Sequence, residues 1–187
     1  MKVLDLFSGK KGFSQPFADR GHEVITIDIN PEFEPSICAD IMTLPIEEIK
    51  SHGPFHVTVA SPPCTEYTKA SLPKTWASVR KYGCNPDTKL LERTLAIIDV
   101  LKPKWWVIEN VRGAIQYFEP FLGKPVKKVG SRYLWGKFPI FDTSPKYGKW
   151  KISPSEKRPA LRSLIPYSLS LALCLACESF DFAVIPH

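Results

Sequence analysis

A cysteine, a carboxylate and a glycine-bearing turn stand at the ends of three apolar runs in this 187-residue chain. Cys64 closes Ser61-Pro62-Pro63-Cys64, directly after Phe55-His56-Val57-Thr58-Val59-Ala60. If that run is a strand, the thiol emerges just past its carboxyl end, where open α/β sheets gather their ligands. Trp105-Trp106-Val107-Ile108-Glu109-Asn110-Val111 repeats the arrangement with a carboxylate, and Val3-Leu4-Asp5-Leu6-Phe7-Ser8-Gly9 leads into a turn that also holds Gly12. A cysteine thiolate is a nucleophile. A carboxyl group ending an apolar strand is costly to desolvate unless it binds or moves a proton. Cysteines after strands are commonly packing residues, but Pro62 and Pro63 fix an extended turn that argues against that reading for Cys64.

Positioning these groups requires a sheet whose strands end on one side. Lys2 to Phe7 reads as a first strand, Ser14 to Arg20 as a short helix stopped by Gly21, and Glu23 to Asp28 as a second strand, a β-α-β unit. Ile37 to Ile41 reads as a short strand, and Phe55 to Ala60 as a buried one. Leu90, Leu91, Thr94, Leu95, Ile97, Ile98 and Leu101 recur at helical spacing, with Asp87 or Thr88 as cap and Pro103 as stop, which predicts a helix over Asp87 to Leu101. The strand Trp105 to Ile108 follows it. Further on, the pattern predicts a helix over Ala114 to Leu122, short strands at Arg132 to Trp135 and Phe138 to Phe141, and a buried final helix from Ser168 to Phe180. The alternation predicts an α/β fold with a doubly wound, mostly parallel sheet in a single domain over 1–187. Asp28, about 20 residues beyond the first turn, is placed to bond ribose hydroxyls.

A hydrophobic content of 44% and a charged content of 24% suit a globular protein, and no apolar run approaches the roughly 18 residues of a membrane span. The amino-terminal residues read as a strand rather than a secretory signal, so a cytoplasmic setting is expected. Five cysteines at irregular spacing argue against a disulfide framework. Cys174 and Cys177 lie in an apolar helix, where they are expected to pack as small hydrophobes, and no metal site is expected. A net charge of +6 favours a polyanionic partner, with nucleic acid the leading class. Basic residues gather at 69–81 and in a Pro-, Lys- and Ser-rich stretch at 142–160, read as exposed loops.

Asp5-Leu6-Phe7-Ser8-Gly9 with Gly12, then Ser61-Pro62-Pro63-Cys64, then Glu109-Asn110-Val111, resemble in order the motifs of the S-adenosylmethionine-dependent cytosine-C5 DNA methyltransferases. Arg132 resembles that family's arginine-containing strand motif, and Ile165-Pro166 through Leu169 and Ala172 is similar to its last motif. The resemblance implies a Rossmann-like methyltransferase fold with S-adenosylmethionine as cofactor and DNA as substrate. It implies that Cys64 adds to cytosine C6, that Glu109 holds the ring nitrogen and exocyclic amine, and that Arg132 steadies the base carbonyl or Glu109. It further implies that Phe7, Ser8, Gly9 and Gly12 wrap the cofactor, that Asp40 and Ile41 meet its adenine, and that Pro62 lies near its ring. Two departures stand out. Lys11 occupies a position where the family usually has glycine, and only Tyr133 to Leu164 remains where a recognition domain usually sits. Sequence specificity is then expected to be low or to come from a protein partner. Methylation of RNA or a free nucleotide, and a catalytically silent DNA-binding or cofactor-binding subunit, are the competing readings.

Overall fold

The computed structural model describes residues 1–65, 67, 86–142 and 164–182. Seven strands form one sheet: β1 (Lys2–Leu6), β2 (Glu23–Asp28), β3 (Ile37–Cys38), β4 (Val57–Ala60), β5 (Trp105–Val111), β6 (Lys127–Val129) and β7 (Arg132–Lys137). Their order is β3-β2-β1-β4-β5-β7-β6, with the first five mutually parallel and β7 antiparallel to both its neighbours. The helices are α1 (Gln15–Asp19), α2 (Ile46–Ser51), α3 (Lys89–Leu101), α4 (Ile115–Leu122) and α5 (Tyr167–Phe182). Short 3-10 turns at Pro31–Phe33 and Arg112–Ala114 complete the described elements.

Strand alternation builds two cores. Leu4, Leu6, Ile27 and Ile108 pack with Ile49 of α2, Leu91 and Ile97 of α3 and Phe118 of α4. On the opposite face Val3, Val57, Val59, Val107 and Leu134 pack with Phe17 of α1 and Leu169, Leu173, Cys174 and Cys177 of α5. Both faces of the central strands are therefore covered, as a parallel sheet requires, and the doubly wound arrangement read from the sequence is the one observed. Cys174 and Cys177 are fully buried, and burial pushes the Cys174 thiol up to about 12. Helix α5 is tied to the start of β2 through Glu178, whose carboxylate accepts from Arg20 at 2.8 and 2.6 Å and contacts His22 at 2.8 Å. His22, Cys174 and Glu178 present ligand-type atoms within 4.8 Å of one another, but that carboxylate is committed to Arg20 and His22.

The elements differ from expectation at their ends and at one strand. No strand forms at Phe138 to Phe141; instead Lys127–Val129 pairs with β7 as a hairpin across Gly130, whose φ of 60° suits a tight turn. Pro139 has no N–H to give a ladder, and the two phenylalanine rings lie 5.9 Å apart, with Phe141 buried in the core beside α5. Strand β3 ends at Cys38 rather than Ile41, because Asp40 starts a turn in which its carbonyl accepts from Thr43 and Leu44. Strand β5 continues past Ile108 to Val111, since β7 pairs along it as far as Arg132. At α3 the N-cap residue is Thr88, whose own side chain makes no capping bond, and Asp87 before it accepts from the Lys89 amide at 2.8 Å. Apart from Asp142, the basic stretches expected at 69–81 and 142–160 lie outside the described residues.

Candidate active site

Parallel register brings the chemistry to one level. Leu6 lies opposite Ala60, and Ala60 opposite Ile108. The next residues of three strands, Phe7, Ser61 and Glu109, therefore reach the carboxyl edge of the sheet side by side. Strands β1 and β4 flank the point where the winding reverses, which is where open sheets form their crevice. A cavity of about 550 Å³ opens there. Its walls include all eleven residues singled out in the sequence: Phe7, Ser8, Gly9, Gly12, Asp28, Asp40, Ile41, Pro62, Cys64, Glu109 and Arg132.

The turn after β1 is tightly wound. Phe7, Gly9 and Lys11 have φ of 61°, 46° and 59°. Lys11 thus keeps the left-handed backbone that glycine adopts freely, at a conformational cost of about 1–2 kcal/mol. Its amide donates to the Ser8 carbonyl at 2.7 Å, and its carbonyl accepts from Gln15 at 2.8 Å, leading into α1. Gly12 is needed for a different reason: a β-carbon there would stand 2.6 Å from Leu164 Cδ1 and 2.9 Å from the Ile165 carbonyl oxygen. The segment before α5 presses directly on the turn. Ser8 Oγ is buried with no hydrogen-bond partner, an orphaned polar atom at the cavity wall. Asp28 accepts from the Gly9 amide at 2.8 Å and the Asn30 amide at 2.9 Å, which fixes its carboxylate between the turn and the end of β2.

Beneath the turn, Asp5 is fully buried and accepts from Ser14 Oγ at 2.6 Å, while its Oδ1 has no partner. Burial pushes this carboxyl up to about 7, the Ser14 hydrogen bond opposes the rise, and the Asp28 charge adds to it. Between pH of about 4 and 7 the folded chain holds a proton that the unfolded chain has released, so this group's contribution to stability falls with rising pH and levels off above about 7. Asp5→Asn is expected to remove that slope. Urea-unfolding midpoints at pH 5 and pH 8 check this; an equal drop in both proteins would assign the slope elsewhere.

Cys64 is partly exposed in the cavity wall. The Pro-Pro-Cys segment is held by Asn110, whose Nδ2 donates to the Pro62 carbonyl at 3.1 Å while its Oδ1 accepts from the Val111 amide. Asn110 is wholly buried, so this bond ties the Pro-Pro-Cys segment to the strand carrying Glu109. The motif reading had not given Asn110 a positioning role; its signal was the polar amide beside Glu109 in an apolar strand. Tyr67, three residues past Cys64, donates to the Asp87 carbonyl at 2.9 Å, linking this segment to the start of α3.

Glu109 is only 5% exposed. It sits opposite Leu134 and Arg132 sits opposite Val111, so the two are diagonal neighbours on one face of an antiparallel pair. Arg132 Nη1 donates to Glu109 Oε1 at 2.9 Å, and Nη2 donates to the Leu164 carbonyl at 2.7 Å. One guanidinium therefore holds both the acid and the segment that packs on Gly12. Burial pushes the Glu109 carboxyl above its usual range, and the Arg132 charge and hydrogen bond pull it partly back. The crevice thus combines a thiol, a buried acid poised by a cation, and a backbone turn with a carboxylate suited to a nucleoside.

Comparison with known proteins agrees with this geometry. The chain is 26% identical over 93 residues to the type II methyltransferase M.SacI of Streptomyces achromogenes, covering 47% of this chain and 23% of that protein. It is 31% identical over 127 residues to the type II methyltransferase M.FnuDI of Fusobacterium nucleatum, covering 62% of this chain and 33% of that protein. In fold it is similar to the Entamoeba histolytica methyltransferase EhMeth, with a TM-score of 0.50 at 18% identity over 84% of this chain and 57% of that one. The chain thus spans about a quarter to a third of the length of these two curated relatives. A model of the C-5 cytosine-specific DNA methylases matches residues 1–119, which hold the glycine turn, the Pro-Pro-Cys segment and Glu109. By that match, and with its ordered motifs gathered at one crevice, the chain belongs to the C-5 cytosine-specific DNA methylase family.

Proposed function

We propose that this chain, as a single catalytic domain over 1–187 in a cytoplasmic setting, transfers a methyl group from S-adenosylmethionine to C5 of cytosine in DNA. The observation that carries the reading is the convergence of Cys64, Glu109 and Arg132 with the glycine turn, Asp28 and Asp40 on one cavity. The residues present fit the cofactor. Ser8 Oγ offers an unpartnered polar atom, and the Asp28 carboxylate, with about four lone-pair positions and two amide donors, retains acceptor capacity for ribose hydroxyls. Phe7, Ile41 and Pro62 supply apolar walls. When bound, S-adenosylmethionine supplies the sulfonium methyl that C5 accepts, and it leaves as S-adenosylhomocysteine.

The chain's own residues make C5 reactive. The Cys64 thiolate adds to C6, breaking the C5–C6 double bond and leaving an enamine with nucleophilic carbon at C5. Glu109, with its carboxyl raised by burial, gives a proton to N3 as charge develops there and accepts from the exocyclic amine. Arg132 holds Glu109 in place through Oε1. After C5 has gained its methyl group, loss of the C5 proton to solvent re-forms the double bond and expels the Cys64 thiolate, and N3 returns its proton to Glu109. A target base must leave the helix to reach such a site. Sequence specificity is low or supplied by a protein partner.

The test offers a tritium-labelled methyl donor with duplex DNA, single-stranded DNA, transfer RNA and deoxycytidine monophosphate. Label at cytosine C5 of DNA is expected. Label confined to transfer RNA or the mononucleotide would overturn the DNA assignment, and none in any substrate with S-adenosylhomocysteine bound would make the chain a silent subunit.

A further inference from the structure

The cavity wall formed by Ala39, Asp40 and Ile41, and the turn that continues it to Leu44, is weakly held by the sheet. Strand β3, which leads into it, pairs with β2 at only two positions, Ile27 with Ile37 and Asp28 with Cys38. After the Ala39 amide donates to the Asp28 carbonyl at 3.0 Å, the chain leaves the ladder. Asp40 then organises one turn: its carbonyl accepts from Thr43 at 3.1 Å and Leu44 at 2.9 Å, and its carboxylate accepts from Met42 at 2.9 Å. A single turn leaves its later carbonyls without helical donors. Arg93, one turn into α3, supplies them from about fifty residues away in the chain. Its Nε donates to the Ile41 carbonyl at 2.9 Å and its Nη2 to the Leu44 carbonyl at 2.5 Å. Leu90, one turn earlier on the same helix, lines the cavity itself. Among the described residues Arg93 makes no ion pair, so its half-buried charge is spent on these two carbonyls.

We propose that Arg93 is a positioning residue for cofactor binding, clamping the Asp40–Leu44 turn so that Asp40 and Ile41 form a fixed wall for the adenosine half of the cofactor; this rests on the methyltransferase reading above. A guanidinium suits the task because its rigid fork spans two acceptors at once, and an ammonium does not. The clamp touches neither Cys64 nor Glu109. Its loss therefore acts on cofactor affinity and leaves the chemical step of the bound complex in place.

Arg93→Ala and Arg93→Lys, compared with the unaltered chain by calorimetry with S-adenosylhomocysteine and with adenosine, test the assignment. Arg93→Ala is expected to weaken both ligands by the same factor, about tenfold, the scale of one charge-assisted hydrogen bond. Arg93→Lys is expected to recover part of it. In steady state, KM for S-adenosylmethionine should rise by a like factor, with kcat at saturation changed less than about twofold. Unchanged affinity in a folded Arg93→Ala protein would overturn the inference, as would a fall in kcat at constant KM. Weakening of S-adenosylhomocysteine with no change for adenosine would overturn it too, because the clamp would then lie at the wrong end. If the unaltered chain binds no S-adenosylhomocysteine, the methyltransferase reading itself fails, an outcome distinct from the others.

Discussion

Cys64→Ser is expected to lower methyl transfer by about 10⁴-fold or more, the scale seen when a covalent nucleophile is removed, while binding of S-adenosylhomocysteine is retained. The hydroxyl that replaces the thiol ionises far less readily and is a poorer nucleophile at neutral pH. No other cysteine can substitute among the described residues, since Cys174 and Cys177 are buried in the core on α5 and the exposed Cys38 is not in the cavity wall. Two readouts separate chemistry from folding. DNA carrying 5-fluorocytosine should trap the unaltered chain covalently, because fluorine at C5 cannot leave as a proton, and Cys64→Ser should form no such complex. Transfer persisting within tenfold of the unaltered chain would sink the covalent mechanism.

Glu109→Gln is expected to reduce kcat by about 10²–10⁴-fold, the usual worth of a positioned general acid. The amide keeps the size and an acceptor for Arg132 but has no proton to give N3. The pH profile carries the sharper signature. Burial raises the Glu109 carboxyl, so its proton persists further toward neutrality than on an exposed glutamate. An activity that needs this proton declines as pH rises through the raised value, and Glu109→Gln should abolish that alkaline decline. A variant with ordinary kcat and an unaltered profile would reduce Glu109 to a packing residue. Neutralising the carboxylate also weakens one ion pair of Arg132, whose side chain is only 12% exposed, so some loss of stability is expected alongside.

These residues were legible because their chemistry interrupts a pattern. A cysteine behind two prolines and a glutamate inside a run of tryptophan, valine and isoleucine break the apolar periodicity at strand ends, where a buried polar group has to be accounted for. The central strands and α3 were readable for the complementary reason: β-branched runs buried on both faces and a long helical period admit few other arrangements. Strand β6 was not readable. Its three residues, Lys127, Lys128 and Val129, carry no apolar period, and it exists because Gly130 folds it back on β7. Phe138 to Phe141 misled for the opposite reason, since its aromatic residues suit a strand but pack as side chains without a ladder.

The chain's one-dimensional pattern determined the winding of the sheet, the ends at which polar groups emerge and the order of the motifs, because each follows from local periodicity and from residues that interrupt it. Only the three-dimensional packing decided which of those groups meet. Arg132 reaches Glu109 because antiparallel register makes residues with opposed partners two apart into diagonal neighbours. Asn110 holds the Pro62 carbonyl because β5 runs on past the end of β4 and so carries Asn110 alongside the Pro-Pro-Cys segment. Gly12 is confined by Leu164 and Ile165, about 150 residues later, and Arg93 grips the Ile41 and Leu44 carbonyls across the crevice wall. Such contacts join positions whose separation along the chain carries no period, so only the folded backbone specifies them.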